Sequence, residues 1–291
     1  MADRVRIYEV GPRDGLQNEA RAIPVAEKLA LIEALAATGL DRIEIGSFVS
    51  PKWVPQMAGT DEIVAAVPRV AGLRYGLLVP NVTGFERYLA AVPEGFDGEI
   101  AVFVSATEGF SRANLNASID ESFERVGDVV ARAVEVGVPV RGYVSCVVRC
   151  PFDGDVAPGQ VASVVERLRE LAPMEVSLGD TIGAGVPETV GAMLEAVLDV
   201  APAEVLAGHF HDTGGRALAN IEVSLEAGLR VFDAAVGGLG GCPYAPGAPG
   251  NVATEAVVAR LAELGFETGV DEDLLAEAAA LARRIKMGVV A

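Results

Sequence analysis

Residues 205–236, VLAGHFHDTGGRALANIEVSLEAGLRVFDAAV, contain one complete strand–helix–strand unit. Runs of apolar and β-branched residues predict strands at Val205–His211 and Val231–Val236. Between them, Leu218–Ala227 has apolar residues at helical spacing, and Gly228 follows where a helix is expected to end. Two strands joined by a helix in this way belong to a parallel sheet.

The same pattern recurs along most of the chain. Gly39 and Gly137 mark further helix ends, and Ser118 begins a segment with the spacing of a capping box. The other predicted strands are Val5–Val10, Arg42–Ser47, Arg74–Pro80, Glu99–Ser105, Val138–Cys146 and Met174–Leu178. The other predicted helices are Val25–Ala37, Ile119–Val136, Gln160–Leu171, Pro187–Leu198 and Thr254–Leu264.

Eight strand–helix units without a long linker favour a closed (β/α)₈ TIM barrel over an open, doubly wound sheet, which remains the alternative. We expect one catalytic domain over residues 1–291, with the barrel at about 5–265 and an extra C-terminal helix at about 271–286. In such barrels the catalytic groups lie at the carboxyl ends of the strands.

The composition restricts the partners of the protein. The formal net charge is −18 and only 23 residues are Lys or Arg, which argues against binding to nucleic acid or to a membrane surface. An anionic substrate must therefore meet local basic groups such as Arg13, Lys52 or Arg112. Three cysteines, no export signal and no apolar run of about 20 residues predict a reducing, cytoplasmic location.

The two histidines of the chain are His209 and His211, at the end of the seventh predicted strand. Residues i and i+2 of a strand project to the same face, about 6 to 7 Å apart, so one cation can bridge both imidazoles. A pair of histidines hydrogen-bonded inside a polar barrel is the alternative.

The first strand leads into Arg13 and Asp14. A carboxylate can complete a cation site with the imidazoles, and an arginine can stabilise an oxygen that gains negative charge. The alternative is a structural Arg–Asp pair. Oxygen and nitrogen ligands without a thiolate favour Mg²⁺ or Mn²⁺, with Zn²⁺ not excluded.

A glycine-rich loop, residues 237–251, follows the eighth strand. It suits a lid over the site, and a phosphate-binding loop is the alternative. Cys242 within it is a candidate acid or base, and Asn251 is a candidate oxygen ligand. The spacing of Cys146 and Cys150 suggests a second metal site, which we reject because no further ligand lies nearby in the sequence.

Six segments together resemble the 3-hydroxy-3-methylglutaryl-CoA (HMG-CoA) lyases, a family of metal-dependent TIM barrels. The resemblance runs in order from Val5 to about Gly269 and covers nearly the whole chain. The segments are GPRDGLQNE (11–19), SFVSPKWVPQM (47–57), RGYVSC (141–146), SLGDTIG (177–183), HFHDT (209–213) and GGLGGCPYAPGAPGN (237–251).

The resemblance implies a role for each matching residue. Arg13 would stabilise the enolate oxygen of the departing acetyl-CoA, and Cys242 would transfer a proton. Glu44 matches an active-site acid, and Asp180 and Gln17 match nearby polar positions with less defined roles. The implied metal ligands are Asp14, His209, His211 and Asn251.

Two departures from the family pattern concern the substrate. Gly214 replaces a larger residue, often Tyr, at the mouth of the site. Arg112 is the one basic residue in a segment where relatives often have two, which weakens the expected contact with the CoA phosphates. A homodimer is compatible with the resemblance.

Three other functions stay open. One is a lyase for a larger branched 3-hydroxyglutaryl-CoA, and another is an aldolase or condensing synthase acting on a 2-oxo acid. Condensing relatives usually carry a further C-terminal domain, whereas this chain ends one helix past the barrel. The third is an inactive barrel that only binds CoA esters or a protein partner.

Overall fold

The computed structural model describes residues 3–242 and 245–289, with the backbone alone for residue 242 and for residues 245–249. Eight parallel strands close into a barrel in the order β1-β8-β7-β6-β5-β4-β3-β2, which confirms the TIM-barrel prediction. The strands are β1 Arg6–Glu9, β2 Arg42–Ser47, β3 Arg74–Leu78, β4 Gly98–Ser105, β5 Val140–Ser145, β6 Glu175–Asp180, β7 Leu206–Phe210 and β8 Val231–Ala234.

Helices cover the outside of this barrel. The predicted helices are confirmed, with ends that differ by no more than about two residues. The helices in the described residues are α1 Val25–Ala36, α2 Thr60–Ala66, α3 Val82–Ala91, α4 Glu108–Leu115, α5 Ile119–Glu135, α6 Pro158–Leu171, α7 Pro187–Leu198, α8 Ala217–Glu226, α9 Thr254–Glu263 and α10 Glu272–Met287.

Local sequence signals determine where several helices begin and end. The Ser118 hydroxyl accepts a hydrogen bond from the Glu121 amide, and the Glu121 carboxylate accepts one from the Ser118 amide, so the predicted capping box is present. The helix-ending residues Gly39, Gly137 and Gly228 all have positive φ. Glycine adopts that backbone conformation without the steric cost of a Cβ atom.

The C-terminal helix α10 packs beside the barrel, against α1 and the turn that follows β8. Leu275, Ala278, Ala279, Ala282 and Ile285 form its buried face. In the described residues, no helix combines the length and apolar character needed to cross a membrane.

Two short antiparallel hairpins extend from the carboxyl end of the barrel. One pairs Arg149–Cys150 with Gly154–Asp155, and the other pairs Gly241–Cys242 with Ala245–Pro249 within the glycine-rich loop. After the second hairpin the chain returns beside β7, because the Asp212 amide donates to the carbonyl of Gly250 at 2.7 Å. This return places Asn251 opposite His211.

Candidate metal and active site

The cleft at the carboxyl end of the barrel has a volume of about 960 Å³. Arg13, Asp14, His209, His211 and Asn251 line it, together with Gln17 and Arg112. Residues from β1, β7 and the segment after β8 therefore meet in one place, as the sequence analysis predicted. Leu78, Phe103 and Tyr143 also line the cleft and belong to one small apolar cluster.

The turn after β1 directs two charged side chains into the cleft. The amides of Arg13, Asp14 and Gly15 all donate to the carbonyl of Val10, which makes a single wide helical turn. A Cβ atom at Gly11 would lie 2.5 Å from the Glu9 carboxylate, so the turn requires glycine there.

Asp14, His209 and His211 form a candidate cation site. One possible ligand atom from each of the three lies within 4.8 Å of the others. Asn251 adjoins them, with its amide nitrogen 2.8 Å from Asp14 Oδ2. Exchange of the amide nitrogen and oxygen by rotation of the side chain would turn an oxygen ligand toward the same position.

The charges of this site also suit a cation. Burial opposes ionisation of Asp14, but the guanidinium of Arg13 and the imidazoles lower the pKa of Asp14 to about 2. Burial, with His209 beside it, lowers the pKa of His211 to about 4, so this imidazole is neutral at pH 7. Its Nδ1 is buried without a hydrogen-bond partner among the described residues. An anionic carboxylate and an unprotonated imidazole are the forms that bind a divalent metal.

Arg13 is held between two carboxylates. Its Nε donates to Glu44 Oε2 at 2.7 Å, and its Nη1 donates to Asp14 Oδ1 at 2.8 Å. The ring centroid of Tyr143 lies 5.7 Å from the guanidinium carbon. Tyr143 also donates its hydroxyl hydrogen to Glu44 Oε2 at 3.3 Å, so Glu44 orients both side chains.

Glu44 itself is fully buried beside Arg13 and, like Asp180, does not line the cleft. Burial raises the pKa of Glu44, while the guanidinium of Arg13 opposes that increase. Its Oε1 has no hydrogen-bond partner among the described residues. This carboxylate therefore combines an ion pair with a free acceptor atom beside the candidate cation site.

Two of the predicted site residues, Asp180 and Arg112, lie apart from this cluster. A third, Cys242, has a side chain that the structure does not describe. Both oxygens of Asp180 accept backbone amide hydrogens from Ala184 and Gly185, and Asp180 does not line the cleft. Arg112 lies on α4, largely exposed, and pairs with Glu108 at 3.4 Å. The side chain of Cys242 lies outside the described part of the chain, so its role stays a prediction.

Cys146, Cys150 and Gly214 were also singled out in the sequence, and the structure describes the surroundings of all three. Cys146 and Cys150 are buried and free at the end of β5, and Cys150 accepts a hydrogen bond from the Thr107 hydroxyl. Within the described residues, the cluster of Asp14, His209 and His211 is the one group suited to a metal. Gly214 lies next to the carbonyl of Gly183, where an added Cβ atom would be 3.0 Å from that oxygen.

Comparison with known proteins places the chain in a family. A family model described as HMGL-like matches residues 4–282. The chain belongs to the HMGL-like family. A relative from Pseudomonas aeruginosa, named 3-hydroxy-3-isohexenylglutaryl-CoA/hydroxy-methylglutaryl-CoA lyase, is 54% identical over 94% of this chain and 90% of its own length.

Solved structures of other proteins agree with this assignment to the HMGL-like family. The HMG-CoA lyase from Brucella melitensis is 59% identical, with a TM-score of 0.95 over 98% of this chain and 100% of that chain. The HMG-CoA lyase from Acinetobacter baumannii, solved with coenzyme A and 3-methylmalate, is 35% identical, with a TM-score of 0.91 over 98% of this chain and 92% of that chain.

This HMGL-like site also contains side chains to which the sequence analysis assigned no role. Arg141 and Asp233 form a buried ion pair below His209, and Tyr143 contacts Arg13. Each is a polar or charged residue within an otherwise apolar strand, which is a signal of a polar barrel interior. Their partners depend on the strand register of the closed barrel.

Proposed function

We propose that this protein is a divalent-metal-dependent carbon–carbon lyase that cleaves HMG-CoA into acetoacetate and acetyl-CoA. The observation that carries the proposal is the convergence of Asp14, His209, His211 and Asn251 beside Arg13 in one cleft. The names of the Brucella and Pseudomonas relatives support the same reaction.

Asp14, His209, His211 and Asn251 would hold the cation, which when bound would supply a Lewis acid for the tertiary hydroxyl group of the substrate and lower its pKa. Carboxylate, amide and imidazole ligands favour Mg²⁺ or Mn²⁺, with Zn²⁺ as the alternative.

Bond cleavage moves an electron pair onto the departing thioester. A base removes the hydroxyl proton, the C2–C3 bond breaks, and acetoacetate separates from the enolate of acetyl-CoA. The guanidinium of Arg13 stabilises the enolate oxygen, and its ion pairs with Asp14 and Glu44 fix its direction before the reaction. The Cys242 thiol then donates a proton to the enolate carbon.

The remaining site residues bind the substrate or hold other parts of the site in place. Gln17 and Arg112 line the cleft, and Arg112 offers a positive charge to the CoA phosphates. Glu44 and Tyr143 hold Arg13, and Asp180 orders the loop at residues 184–185.

The protein works in the cytoplasm, where the free thiols of Cys146 and Cys150 stay reduced.

The larger branched substrate is the second candidate, and the apolar side of the cleft favours it. Leu78 and Phe103 present apolar surface to the cleft beside Tyr143, and a longer apolar substituent on C3 would be stabilised by contact with it. The Pseudomonas relative is named for both substrates. A comparison of kcat/KM for the methyl and isohexenyl substrates decides between them.

The decisive assay incubates purified, Mn²⁺-loaded protein with HMG-CoA and detects acetoacetate by mass spectrometry. We expect formation of acetoacetate and acetyl-CoA in equal amounts, and loss of both products in excess EDTA with recovery when Mn²⁺ is restored. Absence of both products with the metal-loaded protein would refute the proposed reaction.

A further inference from the structure

The two imidazoles of the candidate cation site differ in the contacts of their Nδ1 atoms. His209 Nδ1 lies 3.0 Å from Asp233 Oδ2, whereas His211 Nδ1 has no hydrogen-bond partner among the described residues. A histidine that binds a metal through one ring nitrogen needs the proton of its neutral form on the other. For His209 the structure provides an acceptor for that proton.

We propose that Asp233 is a positioning residue, which holds His209 as the Nδ1–H tautomer and so directs its Nε2 at the cation site. This inference rests on the cation site of the proposed function. Both oxygens of Asp233 accept hydrogen bonds from other donors, so the contact with Nδ1 requires a proton on that nitrogen. The ring is thereby fixed in direction as well as in tautomer.

Hydrogen bonds from two other residues fix the orientation of the Asp233 carboxylate. Its Oδ1 accepts a hydrogen bond from Arg141 Nη2 at 2.7 Å, and its Oδ2 accepts others from Arg141 Nη1 at 3.1 Å and from Ser177 Oγ at 2.7 Å. All three residues have no exposed surface or almost none. The carboxylate therefore has one orientation, and its fourth contact is the one to His209.

Arg141 is fixed in turn by its own surroundings. Its Nε donates to Glu175 Oε1 at 2.9 Å, and the ring centroids of Tyr8 and Tyr143 lie 4.0 and 4.8 Å from its guanidinium carbon. Its guanidinium donates to both carboxylate oxygens of Asp233 and so fixes the plane of that carboxylate. β5, β6, β7 and β8 thus each contribute one member of a polar layer, formed by Arg141, Ser177, His209 and Asp233.

The tautomer can be measured in the metal-free protein, because the chain has only two histidines. Long-range ¹H–¹⁵N correlation of ¹⁵N-histidine-labelled protein at a pH where both rings are neutral distinguishes a protonated from an unprotonated ring nitrogen. A His211→Asn variant assigns the two rings. We expect a proton on Nδ1 of His209 and none on its Nε2. A proton on Nε2 of His209 would overturn the proposal.

Asp233→Asn tests the same contact with little change in volume. The amide can donate a hydrogen bond to Nδ1, so we expect His209 to shift toward the Nε2–H tautomer and the affinity for Mn²⁺, measured by calorimetry, to fall about 10- to 100-fold. A folded variant with the original tautomer and affinity would contradict the inference. If the variant does not fold, the spectrum of the unaltered protein decides alone.

Ser177→Ala is the matched control. It removes another hydrogen bond to Asp233 Oδ2 but leaves the contact with His209 intact. We expect the original tautomer and a Mn²⁺ affinity close to that of the unaltered protein, and loss of both would assign the effect to general loosening of the polar layer. Neither readout uses HMG-CoA, so an inactive protein that still shows the Nδ1–H tautomer would refute the reaction alone.

Discussion

The proposed reaction depends on individual side chains, and the orientation of one of them, Arg13, is fixed by neighbouring charged groups. The guanidinium is 7% exposed and pairs with both Glu44 and Asp14. A buried ion pair of this kind is a weak source of net stability, because desolvation offsets most of its attraction. Its value lies in the fixed direction of the remaining N–H groups toward the cleft.

Arg13→Gln should lower kcat by about 10²- to 10³-fold, because one donor to a developing oxyanion is typically worth that much. Steady-state kinetics with HMG-CoA measures the effect, and thermal unfolding checks that the variant is folded. An unchanged kcat in a folded Arg13→Gln protein would remove the enolate role.

The same substitution at Arg112 is the matched comparison. This arginine is exposed on α4 and interacts with Glu108. Arg112→Gln should raise KM for HMG-CoA more than it lowers kcat, because a contact with the CoA phosphates is made equally in the ground and transition states. A loss confined to kcat would place Arg112 nearer to the reacting atoms than the cleft geometry suggests.

Most residues of the candidate site could be predicted from the sequence, but some of their contacts could not. The His-x-His pair was informative because residues i and i+2 of a strand project to the same face. Arg13 and Asp14 lie in the turn after β1, so their common direction into the cleft follows from the conformation of that turn. The contact between Asp233 and His209 was not predictable, since it depends on how β8 aligns with β7. The burial of Asp180 against its own loop also became apparent only in the folded chain.

Among the elements, the glycine-rich loop follows β8 in the chain, and its described residues Gly240, Gly241 and Asn251 line the cleft. Its backbone forms the hairpin of Gly241–Cys242 and Ala245–Pro249, and the chain then pairs with the end of β7 at Asn251. Continuous runs of apolar and β-branched residues predicted the strands well, because barrel strands are buried on both faces. Helical spacing of apolar residues predicted helices such as α5, which bury one face. It assigned no helix to α2 and α4, which have 7 and 8 residues, and none to α3, although α3 is as long as the predicted helices α8 and α9.

Alkylation with iodoacetamide should inactivate the enzyme through Cys242 on this loop. Cys146 and Cys150 are 0% and 2% exposed, so they should react slowly. Mass spectrometry locates the modified thiol, HMG-CoA should protect it, and Cys242→Ser should resist modification. Full activity after modification of Cys242 would exclude its role in proton transfer.

Glu9 joins three elements below the same loop. Its Oε1 accepts hydrogen bonds from the amides of Gly11 and Val236, and its Oε2 contacts the Thr254 hydroxyl at 2.6 Å. Burial raises the pKa of Glu9 to about 7, although these hydrogen bonds oppose the increase. The folded protein therefore binds a proton here that the unfolded chain releases near pH 4.5.

The stability from this proton is complete below about pH 4.5 and is lost as the pH rises through about 7. Glu9→Gln stays neutral and should remove that dependence. Between pH 4.5 and 8, the free energy of unfolding of the unaltered protein should fall by about 3 kcal/mol relative to the variant. Urea denaturation at each pH measures this difference, and parallel pH profiles would show that Glu9 is ionised throughout.

At the scale of the whole molecule, closure of the barrel brings distant parts of the chain together. β1 pairs with both β2 and β8, so the turn that carries Arg13 and Asp14 lies between the second and eighth strands. The eight strand–helix units in the sequence predicted this architecture, because few arrangements of eight such units cover both faces of their sheet. The position of α10 was left open by the sequence, since an amphipathic helix can pack at several places.

Packing of α10 should contribute measurably to the stability of the barrel. Ile285 is fully buried in it, whereas Leu274 at its start is 36% exposed. Ile285→Ala should lower the free energy of unfolding by about 2 to 5 kcal/mol, and Leu274→Ala by a clearly smaller amount. Urea denaturation measures both, and equal effects would mean that α10 is not docked as described.

Everything in the proposed reaction depends on one cation beside Arg13. Diffraction from crystals soaked in Mn²⁺, recorded at the manganese absorption edge, locates that ion directly. We predict one strong anomalous peak per chain, within about 2 to 2.5 Å of ligand atoms of Asp14, His209 and His211. A peak elsewhere, with these three side chains bound only to one another or to water, would contradict the proposed cation site and the reaction that depends on it.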